Sequence, residues 1–312
     1  MPVAQPDERT VIPGDGPLHD SVLIRDRTAS LLLRSARPKQ WIKNGFVLVP
    51  LLFSERFTSP SATLLALSAT ACFCLTSSAV YLLNDVLDRE LDRAHPVKRY
   101  RPVAAGTLAP RTALLTASAL GLCALAGALA IDVDFALVLG GYAGLMLLYT
   151  FVLKHHVLVD VVTIAAGFVL RVIAGAAAID VEASVWLLLC MGLVALLLAL
   201  GKRRGESRLL AGDAAAHRAV LAGYGARHLD AMILVIAAAT VGSYGVYTAI
   251  GRAAEHHLAA TIPFVLCGVG RYLWLVFHHD QGDSPTDMAW TDRILIATVA
   301  VWALTTGLLL TL

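Results

Sequence analysis

Eight stretches of 16 to 23 predominantly apolar residues, at about 61–83, 112–131, 134–153, 157–178, 185–200, 229–250, 257–278 and 291–312, succeed one another along this chain. That is close to the ~20 residues an α-helix needs to cross the hydrocarbon core of a bilayer. Lipid offers no hydrogen bonds, so each such segment must pair its own backbone groups and is expected to be a helix. Of the 312 residues, 57% are hydrophobic and 15% charged, which excludes an ordinary soluble domain of this size. The chain reads as an all-α polytopic membrane protein, and nothing in it points to a nucleic-acid partner.

A shorter segment precedes these eight. R-P-K-Q-W-I-K-N-G-F-V-L-V-P-L-L-F, at 37–53, is continuously apolar only from Gly45 to Phe53. It is expected to carry Lys39, Lys43 and Asn44 into the membrane boundary, with Trp41 as an interface anchor, and to make a ninth helix. Residues 1–36 are polar, hold Pro2, Pro6, Pro13 and Pro17, and read as a cytoplasmic tail rather than a cleaved leader. Residues 37–312 read as a single transmembrane domain.

Charge placement sets the orientation. With the tail inside, the 84–111 and 202–228 loops, each with six Lys and Arg, fall on the cytoplasmic side together with Lys154. The opposite side keeps Arg56 and Arg252. The positive-inside rule therefore places every chemically rich loop in the cytoplasm. The five cysteines lie in apolar runs without C-x-x-C spacing, which indicates neither a disulfide framework nor a metal site.

The densest polar run is N-D-V-L-D-R-E-L-D-R-A-H-P-V-K-R-Y-R-P, from Asn84. Asp85, Asp88 and Asp92 stand at i, i+3 and i+7, so on a helix they share one face and their oxygens can converge on a hard cation such as Mg2+. Glu90 points elsewhere. Lys98, Arg99 and Arg101 follow, with Pro96 and Pro102 restricting the backbone, and are candidates to contact phosphate oxygens left uncompensated by the metal. The alternatives are a solvated loop start for the acids and a topology signal for the bases.

Three other stretches carry chemistry. At 149–160, Tyr149, Lys154 and Asp160 surround a cytoplasmic turn, and Arg171 shares a helix face with Asp160, roughly 16 Å deeper at ~1.5 Å per residue. An arginine at that depth marks either a polar cavity or, with Gly167 and Gly175 beside it, a structural contact in a tight helix pair. In G-K-R-R-G-E, Lys202, Arg203 and Glu206 open the loop after 185–200 as the opposite jaw of an anion site. The 278–287 loop has a histidine pair unsuited to zinc; its acids close over the cavity or pair with Arg271.

These residues resemble the UbiA-type intramembrane prenyltransferase superfamily. N-D-x-x-D-x-x-x-D followed by K-R-x-R-P, at the cytoplasmic end of the second of nine segments, carries the resemblance, which extends over nearly the whole chain from Arg37. It implies nine helices around a central cavity open to the cytoplasmic face and the bilayer. R-P-K-Q-W-I-K-N, H-P-V-K-R-Y-R-P, L-K-H-x-x-L-V-D and G-K-R-R-G-E are similar to the branch that moves 5-phosphoribosyl from phosphoribosyl diphosphate to a polyprenyl phosphate, for cell-envelope arabinan synthesis. Members that ionise a prenyl diphosphate usually carry a second aspartate-rich motif after the sixth helix. Here that place holds Lys202, Arg203 and Arg204, and Asp213 is isolated.

The resemblance implies Mg2+ on Asp85, Asp88 and Asp92, with Lys154 and Asp160 as further catalytic residues. It implies substrate contacts by Lys43, Asn44, Asn84, Lys98, Arg99, Arg101, Tyr149, Arg171, Lys202, Arg203 and Glu206. Lys43, Lys154 and Arg171 are candidates for the lipid phosphate, and the remaining bases for the donor. The rival readings are a prenyltransferase acting on an aromatic acceptor and an ion-coupled transporter. A plasma-membrane location is expected, and a homo-oligomer is compatible with the sequence.

Overall fold

The computed structural model describes residues 28–155, 159–209, 226–278 and 285–311, and among these all regular structure is helical. Eight helices are long and apolar enough to cross a membrane. They are α1 (Pro60–Leu87), α2 (Pro110–Ile131), α3 (Val133–Phe151), α4 (Val159–Ala178), α5 (Val185–Leu209), α6 (Ala226–Ala249), α7 (Ile262–His278) and α8 (Arg293–Thr311). Most of the tail, Asp213 and most of the 278–287 loop lie outside the described residues.

Local chemistry sets the starts. Pro60 and Pro110 open α1 and α2 where a missing N–H costs nothing. Asp132 caps α3, its Oδ1 accepting from the N–H groups of Asp134 at 2.7 Å and Phe135 at 3.1 Å.

Two helices outrun their apolar stretches. α1 continues to Leu87 and so carries Asn84 and Asp85 on helix; α5 continues to Leu209 and carries Lys202, Arg203, Arg204 and Glu206, which the sequence placed in a loop. In both cases buried charges have found partners, so the polar turns stay helical.

The first segment differs in kind from the others. Residues 38–48 form a 3-10 helix and 49–53 a short α-helical turn. Asn44 and Gly45 are weak α-formers and Pro50 offers no N–H, which disfavours a continuous α-helix there. Asn44 and Val47 are buried in this segment, Asn44 to 1% exposure.

Consecutive helices pack against one another, and α4 also packs on α1 and on the 38–48 segment. Of α4's apolar window 61% is buried, against 11% for α2, so α4 is the inner helix and α2 faces lipid. The last elements return to the first: Leu310 clusters with Leu52 and Phe53, and Trp290 donates to the Lys39 carbonyl at 3.2 Å.

Close approach of the first segment to α4 depends on one glycine. A Cβ on Gly175 would lie 2.0 Å from the Val47 carbonyl oxygen, a backbone atom that cannot swing aside. Gly175→Ala is therefore expected to cost about 1–3 kcal/mol, read as a lowered melting temperature in detergent. Gly144→Ala, with nothing within 4 Å of the added carbon, should leave the melting temperature nearly unchanged.

Candidate active site

The acidic run is not one straight helix face. α1 ends at Leu87, Asp88 takes φ −88° and ψ 9°, and a second short helix, Arg89–Ala94, carries Asp92. The kink divides the three carboxylates, and each meets a cation. Asp85, 1% exposed, is ion-paired to Arg37, and its Oδ1 lies 3.4 Å from Arg101 Nη1. The same nitrogen donates to Asp92 Oδ2 at 2.6 Å. Asp88 accepts from Lys154 Nζ, 3.0 Å from Oδ1 and 3.2 Å from Oδ2.

The loop that brings Arg101 back is held from beneath. Val103 and Leu108 are buried with Leu82, Ala113 and Ala117 between α1 and α2. Thr107 Oγ1 donates to the Pro102 carbonyl at 3.1 Å, and Arg93 Nε donates to the Ala104 carbonyl at 3.1 Å. Arg101 is thus placed over Asp85 and Asp92 by apolar anchoring, which a reading of charges alone does not foresee. Of its two basic neighbours, Arg99 is exposed and turns onto the Tyr100 ring, and Lys98 opens the short 98–100 turn.

Asn84 sits at the centre of this end, its Oδ1 2.8 Å from the Thr150 hydroxyl of α3. Among the described residues, no three His, Cys, Asp or Glu side chains form a ready cage for a metal ion. One guanidinium nitrogen nevertheless touches both Asp85 and Asp92, so their hard oxygens face a common cation-sized space. Magnesium needs only one or two carboxylates and completes its shell with water and phosphate oxygens. The donor set fits it.

A second cluster joins α3, α4 and α5. Arg203, 1% exposed, has Nε 2.6 Å from Asp160 Oδ2, at ion-pair distance although not hydrogen-bonded there. It also pairs with Glu206 and reaches the Tyr149 hydroxyl at 3.4 Å. Arg204 is spent structurally, donating to the Val276 carbonyl at 2.6 Å and pairing with Asp230.

Arg171 belongs to neither cluster. Its Nε donates to Asn44 Oδ1 at 2.9 Å, Nη1 to the Gly167 carbonyl and Nη2 to the Tyr142 hydroxyl, both at 2.8 Å. The Tyr142 and Phe168 rings lie 4.6 Å and 5.2 Å from its guanidinium carbon. All three nitrogens are engaged by protein, so this arginine locks the first segment onto α4. Asn44 completes the lock through Ser77 Oγ, 3.2 Å from its Nδ2.

Two site residues escape a sequence reading. Arg37 appears there only as the first residue of the R-P-K-Q-W-I-K-N stretch, yet it contacts Asp85, stacks 4.8 Å above the Tyr81 ring and adopts φ 54°, a strained left-handed conformation for a non-glycine residue. Thr150 is buried in α3 beside Asn84. The signal for Arg37 was its place before Pro38, in a polar run leading into an apolar one. At the far end of the chain Arg271 pairs with Asp292 at 2.7 Å, and that hydrogen bond holds the Asp292 carboxyl below its ordinary range.

The chain matches the UbiA prenyltransferase family over residues 46–295. It is 34% identical to the decaprenyl-phosphate phosphoribosyltransferase of Mycobacterium tuberculosis over 282 residues, 88% of this chain and 93% of that one. The protein of the same name from Corynebacterium glutamicum is 34% identical over 87% of this chain and 84% of its own. A solved UbiA homolog from Archaeoglobus fulgidus bound to GPP and Mg2+ shares the fold with a TM-score of 0.68 at 20% identity, covering 90% of this chain and 100% of that one. A family match across most of the chain, relatives over nearly all of it and the eight-span helical fold lead to one assignment: this chain belongs to the UbiA prenyltransferase family.

Proposed function

We propose that this protein is a membrane pentosyltransferase that moves 5-phosphoribosyl from phosphoribosyl diphosphate to a polyprenyl phosphate and releases pyrophosphate. The observation that carries this reading is that three cations, Arg37, Arg101 and Lys154, are gathered on the three carboxylates Asp85, Asp88 and Asp92, so that each becomes available to phosphate once a metal takes the carboxylates. A metal-bound diphosphate alone needs fewer cations. A donor that also bears a 5-phosphate needs them all. The names of the relatives at 34% identity support the same choice.

Asp85, Asp88 and Asp92 would hold Mg2+, which when bound would supply neutralisation of the charge that develops on the leaving pyrophosphate. With the carboxylates so engaged, Arg37, Arg101 and Lys154 would be free to bind the donor's phosphate oxygens. The bond between ribose C1 and the pyrophosphate oxygen breaks while an acceptor phosphate oxygen bonds to C1. That oxygen is already anionic at neutral pH, so no general base is required. Arg203, fixed by Asp160, Glu206 and Tyr149, braces α4 against α5 around this space.

The cavity opens to the cytoplasmic face and the bilayer of the plasma membrane, with nine helical elements around it. The ninth is the 38–53 segment. At ~2.0 Å per residue in 3-10 geometry and ~1.5 Å in the α turn, its sixteen residues reach about 30 Å, enough to span where an α-helix of that length would fall short.

Membranes containing the protein, given radiolabelled phosphoribosyl diphosphate, Mg2+ and polyprenyl phosphate, should yield lipid-soluble label. No such label with Mg2+ present would end this reading, and label from a prenyl diphosphate on an aromatic acceptor would replace it. Arg37→Ala should weaken donor binding about tenfold or more, the loss of one charge-assisted contact, measured as a raised KM for the donor with the KM for lipid unchanged.

A further inference from the structure

A cavity of about 140 Å³ lies between the 38–48 segment, α4, α5 and the short helix Pro285–Thr291. Its walls are apolar, with Phe46 and Phe168 edge to face at 4.8 Å and with Ile164 and Leu198 beside them. Two lysines, Lys43 and Lys202, line it as well. The Lys202 ammonium lies 3.8 Å from Glu206 Oε1. The Lys43 ammonium makes no hydrogen bond or ion pair among the described residues, and the charges that act on it include three cations, Lys202, Arg171 and Arg37, and the Asp287 carboxylate. A half-buried cation among other cations, inside an apolar wall, is costly unless an anion joins it. The larger groove between α1, α2 and α3, about 370 Å³, is lined by no charged side chain.

We propose that the Lys43 and Lys202 cavity is the acceptor subsite: it takes a phosphomonoester joined to an isoprenoid chain, the phosphate between the two ammonium groups and the first isoprene units on Phe46 and Phe168. This rests on the proposed transfer and moves Lys202 from the donor side to the acceptor side. The acidic run and its three cations remain the donor site. Arg37 stands between the two, paired to Asp85 and acting on Lys43 through its charge. A free phosphate, such as the donor's 5-phosphate, offers the same head without the tail. The apolar walls favour the lipid.

The test is direct binding to the purified full chain in detergent, by titration calorimetry, with farnesyl phosphate, farnesol, inorganic phosphate and Mg2+ with phosphoribosyl diphosphate as separate probes. Lys43→Ala with Lys202→Ala is expected to weaken farnesyl phosphate at least tenfold and to leave the donor complex within twofold. Phe168→Ala should weaken farnesyl phosphate while inorganic phosphate is unaffected. Lys43→Arg should retain farnesyl phosphate affinity, which a merely misfolded cavity would not allow. The inference is overturned if the double variant loses the donor instead, if inorganic phosphate binds the wild type as tightly as farnesyl phosphate, or if farnesyl phosphate affinity is unchanged. A wild type that makes no phosphoribosyl lipid overturns the transfer reading itself, whatever the cavity binds.

Discussion

Asp85→Asn is expected to lower kcat about 10³-fold, the scale of removing one electrostatic contact aimed at developing charge. Asp85 is the carboxylate on which Arg37 and Arg101 both act, and it is 1% exposed at the end of α1. The amide keeps the side chain's volume but neither ligates a hard cation well nor holds two guanidinium groups. Stability should change little, because Arg37 and Arg101 are 26% and 27% exposed and can rehydrate when their partner is lost. Glu90→Gln is the control: Glu90 is 75% exposed and pairs on the surface with Arg93. Single-turnover rates with melting curves separate the cases. An Asp85→Asn protein that turns over like wild type would remove the acidic run from the chemistry.

The second large effect falls on stability. Arg203→Met leaves Asp160 and Arg203's place buried, both side chains having been 1% exposed. Removing one member of a buried ion pair typically costs 3–5 kcal/mol, so a loss of up to about that size is expected in detergent unfolding. Arg203→Met with Asp160→Asn removes both charges and should recover a large part of it. If the single variant melts like wild type and instead raises the donor KM, Arg203 is a donor contact and not a brace.

The helical fold was legible because lipid leaves a segment of twenty apolar residues almost no alternative. The ends were not. α1 and α5 run past their apolar stretches since Asp85 and Arg203 meet cations and carboxylates from elsewhere in the chain, and no local pattern encodes a partner 48 or 43 positions away. The close approach of 38–48 to α4 likewise depends on a distant residue, Gly175, which leaves room for the Val47 carbonyl. At the site, the residue types were readable but the single helix face was not kept: Asp85 and Asp92 meet on Arg101, while Asp88, at the kink, turns to Lys154. The partition among the bases was not. Arg171 and Arg204 are consumed in packing, Arg99 is exposed and turned onto Tyr100, and Arg37 enters from the first segment, where it had not been singled out as a site residue.

Mass spectrometry of the lipid made by purified protein from a defined polyprenyl phosphate, phosphoribosyl diphosphate and Mg2+ tests the central claim most directly. The expected product has the mass of the acceptor plus one phosphoribosyl unit, with one pyrophosphate released per lipid formed. An unmodified lipid beside unconsumed donor, or a product in which the prenyl chain itself has been transferred, would contradict it.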